Sequence, residues 1–280
     1  MNSSTPNTVN QEQRLVTVVI PLYTLRLSEI ELVSLRQCFQ VLGGHDIAII
    51  KPYSLDISPL KQLIGGNIIF RVEEFDDTYF AGREGYNRLM LSTTLYERFQ
   101  DSKYIFIHQT DVYVFKDELE QWCQRGYDYI GAPWLPAVGD TSGWNMPRRA
   151  FYLIRRALGK FKSPYHAINL KYLVGNGGCS LRHTRHCLDA AVKLHDAFTI
   201  AASDASNHEN FEDVMWSVRV NHLSPNTLRI APYHEAVFFS IESHPSMAMR
   251  LTGGQLPMAT HAFARRRNRG FWKRYITNLH

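Results

Sequence analysis

One stretch of this sequence carries the strongest chemical signal. Tyr104-Ile105-Phe106-Ile107 is apolar enough for a buried strand, His108-Gln109-Thr110-Asp111 follows, and Val112-Tyr113-Val114-Phe115 resumes the β-forming pattern. A carboxylate between two buried runs is costly unless a cation, a metal ion or several donors meet it. One reading makes Asp111 a turn residue joining two strands, a common use of Asp. The other puts it at the carboxyl edge of a sheet, where open α/β folds bind their ligands. The absence of Gly and Pro from the stretch favours the second.

Two further groups have the right residue types for a site. Val174-Gly175-Asn176-Gly177-Gly178-Cys179-Ser180-Leu181-Arg182 holds three glycines in four residues. Such a run lets backbone approach a ligand closely, and a packing bulge is the plainer alternative. Glu212 and Asp213 fall in the first turn of a helix starting at Phe211, where the helix dipole alone favours acidic residues. A late histidine, His261, completes the set. Carboxylate oxygen and imidazole nitrogen suit Mg²⁺ or Mn²⁺ bridging a diphosphate, and a separate carboxylate could take a proton from a hydroxyl acceptor.

Other chemistries lack their motifs. There is no P-loop, no G-x-G-x-x-G after the first strand and no G-x-S-x-G elbow. The four cysteines, Cys38, Cys123, Cys179 and Cys187, form no CxxC pair, and scattered thiols in a chain this long fit a reducing compartment. Residues 1–13 lack the basic start and apolar core of a signal peptide, and no apolar run reaches the ~20 residues that span a bilayer. These features point to a soluble, cytoplasmic protein. The net charge of +5 is concentrated in Arg265-Arg266-Arg267, Arg269, Lys273 and Arg274, so no general nucleic-acid surface is indicated.

The elements that must position these residues follow from periodicity and punctuation. With 280 residues, 45% of them hydrophobic, the chain can bury a large α/β core. A disordered lead covers 1–13, and a first strand at 15–20 ends at Pro21. Ser28 with Glu31 is a capping box opening a helix that Gly43-Gly44 stops. Strands at 46–50 and 67–72 flank a short helix at 60–64, the alternation of a doubly wound sheet. A helix spans 86–99, Asp117 caps a short helix with Leu119 and Trp122, and a strand at 127–134 runs into a rigid turn. A loop at 137–147 and a basic amphipathic helix at 148–162 come next, then a helix at 183–198. Short strands at 228–230 and 236–239 precede Thr260-His261-Ala262-Phe263.

The order of these motifs resembles the GT-A class of nucleotide-sugar glycosyltransferases. It is similar in particular to a bacterial and eukaryotic glycosyltransferase group filed as a domain of unknown function. The resemblance rests on Val19-Ile20-Pro21-Leu22-Tyr23, Gln109-Thr110-Asp111, Tyr127-Asp128-Tyr129-Ile130-Gly131-Ala132-Pro133-Trp134, the glycine-rich run, Glu212-Asp213-Val214 and His261-Ala262-Phe263, spanning about residues 15–265. It implies a single GT-A-like, Rossmann-type domain at 14–264 with a mostly parallel sheet flanked by helices. A lead at 1–13 would precede it and a basic tail at 265–280 would follow. The activity implied is transfer of a sugar from a nucleotide-diphosphate sugar to a hydroxyl on a glycan or lipid-linked acceptor, in surface polysaccharide or glycan synthesis.

The resemblance also implies roles. Asp111 and His261 would hold Mn²⁺ or Mg²⁺. Pro21, Tyr23, Tyr86, Asn87, Gln109, Thr110, Asn176, Gly177, Gly178 and Arg265 would line the donor site with Asp111. Asp213, or its neighbour Glu212, would be the general base of an inverting reaction, although retaining relatives exist in the class. Gln109 departs from the pattern, standing where many relatives have a first Asp, and leaves metal dependence open. Two other functions fit less well: a sugar-phosphate nucleotidyltransferase, for which Pro21-Leu22-Tyr23-Thr24 lacks the Gly-rich basic loop, and an inactive binding module, which Gln109 would suit. The basic end, with Phe271 and Trp272 among its cations, is expected either as a solvated tail or as a peripheral contact with an anionic membrane face.

Overall fold

The computed structural model describes residues 13–136, 154, 157–158, 165, 170–277 and 279. The lead up to residue 12, the loop expected at 137–147 and most of the helix expected at 148–162 lie outside the described residues. Six strands make the sheet that organises the fold: β1 (Arg14–Pro21), β2 (Asp46–Pro52), β3 (Arg71–Phe75), β4 (Ser102–His108), β6 (Tyr129–Gly131) and β7 (Cys179–His183). They lie in the order β3-β2-β1-β4-β7-β6. Only β7 runs against its neighbours, so the sheet is mostly parallel and flanked by helices. Three shorter strands, β5 (Val112–Val114), β8 (Ser240–Ile241) and β9 (Ala259–His261), form a second sheet in the order β5-β9-β8.

Local sequence explains most of these elements. Val16, Val18, Val19 and Ile20 of β1 and Ile105, Phe106 and Ile107 of β4 are buried, as continuous apolar runs in a two-sided parallel sheet must be. The capping box forms: Ser28 Oγ accepts from Glu31 N, Ser28 N donates to Glu31 Oε2 at 2.9 Å, and helix Glu29–Leu42 follows. Five expectations need correction. The third strand starts later than residue 67, because its pairing with β2 begins at Ala48↔Arg71. The helix expected at 86–99 is two, Gly82–Leu91 and Thr93–Arg98, because Ser92 leaves helical geometry and caps the second. The 183–198 helix likewise divides into Thr184–Lys193 and His195–Ser203. Residues 236–239 lie in a helix, Tyr233–Phe239, opened by Pro232, and 228–230 supply only one bridge, Tyr129↔Ile230.

The fifth correction concerns the basic end. Residues Arg266–Trp272 form a helix, and Trp272 is fully buried with Val237, Met247 and Phe263 beneath the small sheet. Its indole is therefore core, not a membrane-facing aromatic. Arg266, Arg267, Lys273 and Arg274 remain exposed on the surface of the same segment.

Candidate functional site

Gln109-Thr110-Asp111 is the crossing from β4 in the large sheet to β5 in the small one. Gln109 N donates to Gly178 O at 2.9 Å and Val112 N to Gln109 O at 3.0 Å, which closes the crossing into a tight turn. The register Val112↔His261 then sets Asp111 beside His261, and Ala262 N donates to Asp111 O at 2.9 Å. His261 Nε2 lies 2.8 Å from Asp111 Oδ1, yet the oxygen lies off the ring's N–H axis and no aligned hydrogen bond forms. Burial opposes charge on His261, but Asp111 and Glu242 outweigh it and hold its pKa above the usual value. Burial opposes charge on Asp111 too, and His261 and Arg265 outweigh it and hold that carboxyl below its usual range.

This geometry fits a divalent cation. Two donors close together but not aimed at one another are placed like neighbouring ligands of one ion, where bonds of about 2.1 Å at right angles separate donors by about 3 Å. Gly178 lets the loop backbone pack tightly against both neighbours: a Cβ there would meet Gln109 Oε1 and come 2.7 Å from His261 Nε2. The amide oxygen, the imidazole nitrogen and the Asp111 carboxylate are thus neighbours beside Gly178, a mixed O/N donor set suited to Mn²⁺ or Mg²⁺.

The acidic pair lies behind the same glycine-rich loop, and its two members do different things. Glu212 is buried and accepts from Arg182 Nη2 at 2.7 Å. Arg182, itself fully buried, also donates to Tyr96 Oη at 3.0 Å and to Gly177 O at 3.3 Å. A Cβ on Gly177 would fall on Glu212 Oε1, so the loop passes directly over this pair. Burial raises the Glu212 pKa and Arg182 opposes the rise. Asp213 is less enclosed. Its Oδ2 accepts from Asn176 N at 3.2 Å and its Oδ1 from Val214 N at 2.9 Å. Burial first, then Glu212 and Glu242, push its pKa up to about 7.

The other expected donor residues separate into two groups. Tyr23 projects at the end of β1 with its ring 5.5 Å from Phe80 and 6.2 Å from Tyr86, an aromatic ledge next to Pro21. Asn176 adopts positive φ, and its buried Nδ2 has no partner. Arg265 is half exposed, with Nη1 3.6 Å from Glu242. Asn87 and Thr110, by contrast, spend their side chains on the scaffold. Asn87 Oδ1 accepts from Glu212 N at 2.7 Å and its Nδ2 donates to Asn210 O at 3.1 Å. Thr110 Oγ1 donates to Glu31 Oε1 at 2.8 Å. Glu242 was not singled out from sequence. It follows the two-residue strand β8, which no local pattern announces, and only the β8–β9 pairing brings it to His261.

A second cluster sits at the other end of the sheet, where His183 pairs with Tyr104 at the start of β4. Among the described residues, Asp128, His183 and His186 are the one group of three metal-type ligands whose donor atoms lie within 4.8 Å of each other. The two imidazoles stack at 3.8 Å and 15°, so their lone pairs lie in two separate, nearly parallel planes. Asp128 already accepts from Arg229 N at 2.7 Å and meets His186 Nδ1 at 2.5 Å. That is a hydrogen-bonded cluster, and a single ion does not lie in both ring planes.

A protein-family model matches residues 69–261. The chain belongs to the DUF5672 family. That family is described as proteins of unknown function, and the matched span contains Asp111, the glycine-rich loop, the acidic pair, Glu242 and His261. No curated protein matches this DUF5672 member in sequence. Among solved structures, the galactosyltransferase LgtC in complex with donor and acceptor sugar analogs superposes with a TM-score of 0.52 at 13% identity, over 88% of this chain and 86% of that one. A structure of LgtC carrying an active-site mutation gives 0.54 at 14% identity over the same shares. The bifunctional glycosyltransferase WbbM gives 0.51 at 12% identity, over 89% of this chain and 46% of that one. These likenesses show the fold, which is that of the GT-A glycosyltransferases.

Proposed function

We propose that this DUF5672 protein is a glycosyltransferase that moves a sugar from a nucleotide-diphosphate sugar to a hydroxyl acceptor. The observation that carries the reading is the convergence of Asp111 Oδ1 and His261 Nε2 beside Gly178, at the carboxyl end of the parallel sheet. Asp111 and His261 would hold Mn²⁺ or Mg²⁺, which when bound offsets the charge of a diphosphate leaving group. The exposed ring of Tyr23, backed by buried Pro21 and Tyr86, offers a stacking surface to the nucleotide base. Asn176, through its unpartnered amide, offers a donor to a sugar hydroxyl, and Gly177 and Gly178 let backbone approach it. Arg265 is placed to reach the diphosphate from the rim.

Asp213 is the proposed base. With a pKa near 7 it is half ionised at neutral pH and can take the acceptor's proton. The acceptor oxygen then bonds to the anomeric carbon as the bond from that carbon to the diphosphate oxygen breaks. Attack assisted in this way inverts the anomeric centre. Glu212, bound to Arg182, is assigned to the scaffold. Exposed Arg266, Arg267, Lys273 and Arg274 support contact with an anionic membrane face, which suits a lipid-linked acceptor.

The test is calorimetry of the purified protein with UDP-, GDP- and CMP-sugars, with and without Mn²⁺, followed by assay of nucleoside diphosphate release with glycan and lipid-linked acceptors. Binding of one donor class that Mn²⁺ strengthens, with release on adding acceptor, supports transfer. Binding without release in any acceptor panel supports the second reading, an inactive sugar-nucleotide module, which Gln109 in place of a carboxylate favours. No donor binding at all overturns both.

A further inference from the structure

We infer that Glu242 is the outer carboxylate of the cation centre: it faces Nδ1 of His261, fixes the ring with Nε2 as the donor atom, and supplies the negative charge that Gln109 does not. The inference rests on the proposed cation site at Asp111 and His261.

The placement comes from strand pairing. Parallel pairing of β8 with β9 aligns Ile241 with Thr260, so the next residue on each strand, Glu242 and His261, emerge side by side at the same sheet end. Glu242 Oε1 lies 3.9 Å from His261 Nδ1, too long for a hydrogen bond and close enough for a strong field where little water intervenes. His261 Nδ1 is buried and has no hydrogen-bond partner of its own. Arg265 Nη1 sits 3.6 Å from the same carboxylate oxygen on its outer side. Glu242 is therefore held between a histidine nitrogen and an arginine, and its side chain is only 18% exposed.

The chemistry explains why such a residue belongs here. A histidine that ligates a metal through one nitrogen commonly presents the other N–H to a carboxylate, which fixes its tautomer and makes the ligating nitrogen more basic. The inner donors here are an amide oxygen, one carboxylate and one imidazole, with a single negative charge among them. A divalent ion so held stays strongly under-neutralised. A carboxylate one atom shell further out, its charge shared with the guanidinium of Arg265, lessens that deficit without occupying a coordination position. Glu242 is accordingly a positioning residue, acting through His261.

The experiment measures Mn²⁺ alone binding to the full-length chain, by the electron paramagnetic resonance signal of free Mn²⁺, beside melting temperature and the ¹⁴N coupling of bound Mn²⁺. Glu242→Gln is expected to weaken Mn²⁺ binding roughly 10–100-fold, the usual loss on removing an outer-shell partner. At matched occupancy it should also broaden or lose the histidine ¹⁴N coupling, with the melting temperature within a few degrees of wild type. Glu242→Asp is expected to recover part of the affinity. Wild-type affinity and ¹⁴N coupling in Glu242→Gln, with loss of binding in Asp111→Asn, overturns this inference and leaves the cation site standing. Unchanged binding in Asp111→Asn and His261→Ala, or no binding by the wild type at millimolar Mn²⁺, overturns the cation site and the role of Glu242 together.

Discussion

Desolvation and two neighbouring carboxylates push the Asp213 pKa up to about 7, and as the proposed base this residue would set the pH behaviour of the site. A base works only when ionised, so kcat/KM should fall about tenfold per pH unit below about 7 and level off above it. Asp213→Asn should lower kcat by at least about a hundredfold with donor KM little changed, and remove that acid limb. The linkage has the opposite sign for stability. The folded chain holds this proton more tightly than an unfolded one, so the group's contribution is favourable at low pH and is lost as pH rises through about 7. Asp213→Asn should therefore melt no lower than wild type at pH 8, which differential scanning calorimetry checks. Glu212→Ala behaves differently: it strands the buried Arg182 and should destabilise by about 3–5 kcal/mol, read by urea unfolding. Equal stability losses at the two positions would remove the division of roles.

At the scale of elements, the glycine-rich loop is the piece on which both halves of the site depend. Gly178→Ala should cost Mn²⁺ affinity at least about tenfold while the fold persists, because the added methyl meets Gln109 Oε1, a side-chain end that can swing aside, and crowds His261 Nε2, the proposed ligand atom. Gly177→Ala should instead destabilise, since its methyl meets Glu212, which is pinned to Arg182. Calorimetric titration with Mn²⁺ beside thermal melts separates the two. The sequence made this loop visible, as it did the first two strands, the capping box and the Gln109-Thr110-Asp111 stretch, because each is a local pattern of burial period or turn chemistry. What stayed hidden depends on pairing across long separations. Nothing near Glu242 marks it, and nothing near Arg182 says that its charge is buried. Asn87 and Thr110 look like polar residues at a site edge, and only the packing of neighbouring helices shows their hydrogen bonds going elsewhere. The helix at Tyr233–Phe239 reads as a strand because Ala-Val-Phe-Phe suits either when buried, and length decides only once the context is known.

On the scale of the whole molecule, the crossing between the sheets carries Asp111, the large sheet adjoins the glycine-rich loop, and the small sheet carries His261 with Glu242 at its edge. The helix Arg266–Trp272 fastens the small sheet from below through Trp272. Trp272→Ala should therefore destabilise by about 3–5 kcal/mol and weaken Mn²⁺ binding, whereas exchanging exposed Arg266, Arg267, Lys273 and Arg274 for Gln should leave both intact and abolish salt-sensitive binding to anionic vesicles. Vesicle binding that survives the charge exchange would end the membrane proposal. No helix among the described residues is long and apolar enough to cross a bilayer. The separation of the two proposed ligands along the sequence also has a consequence for synthesis. Asp111 leaves the ribosome with the parallel core, but its partner His261 follows some 150 residues later. A nascent chain can thus build most of its large sheet before β9 is made, and the proposed capacity to hold an ion waits for that strand. Purified chains truncated at graded lengths should show that threshold, with Mn²⁺ bound only once β9 is included.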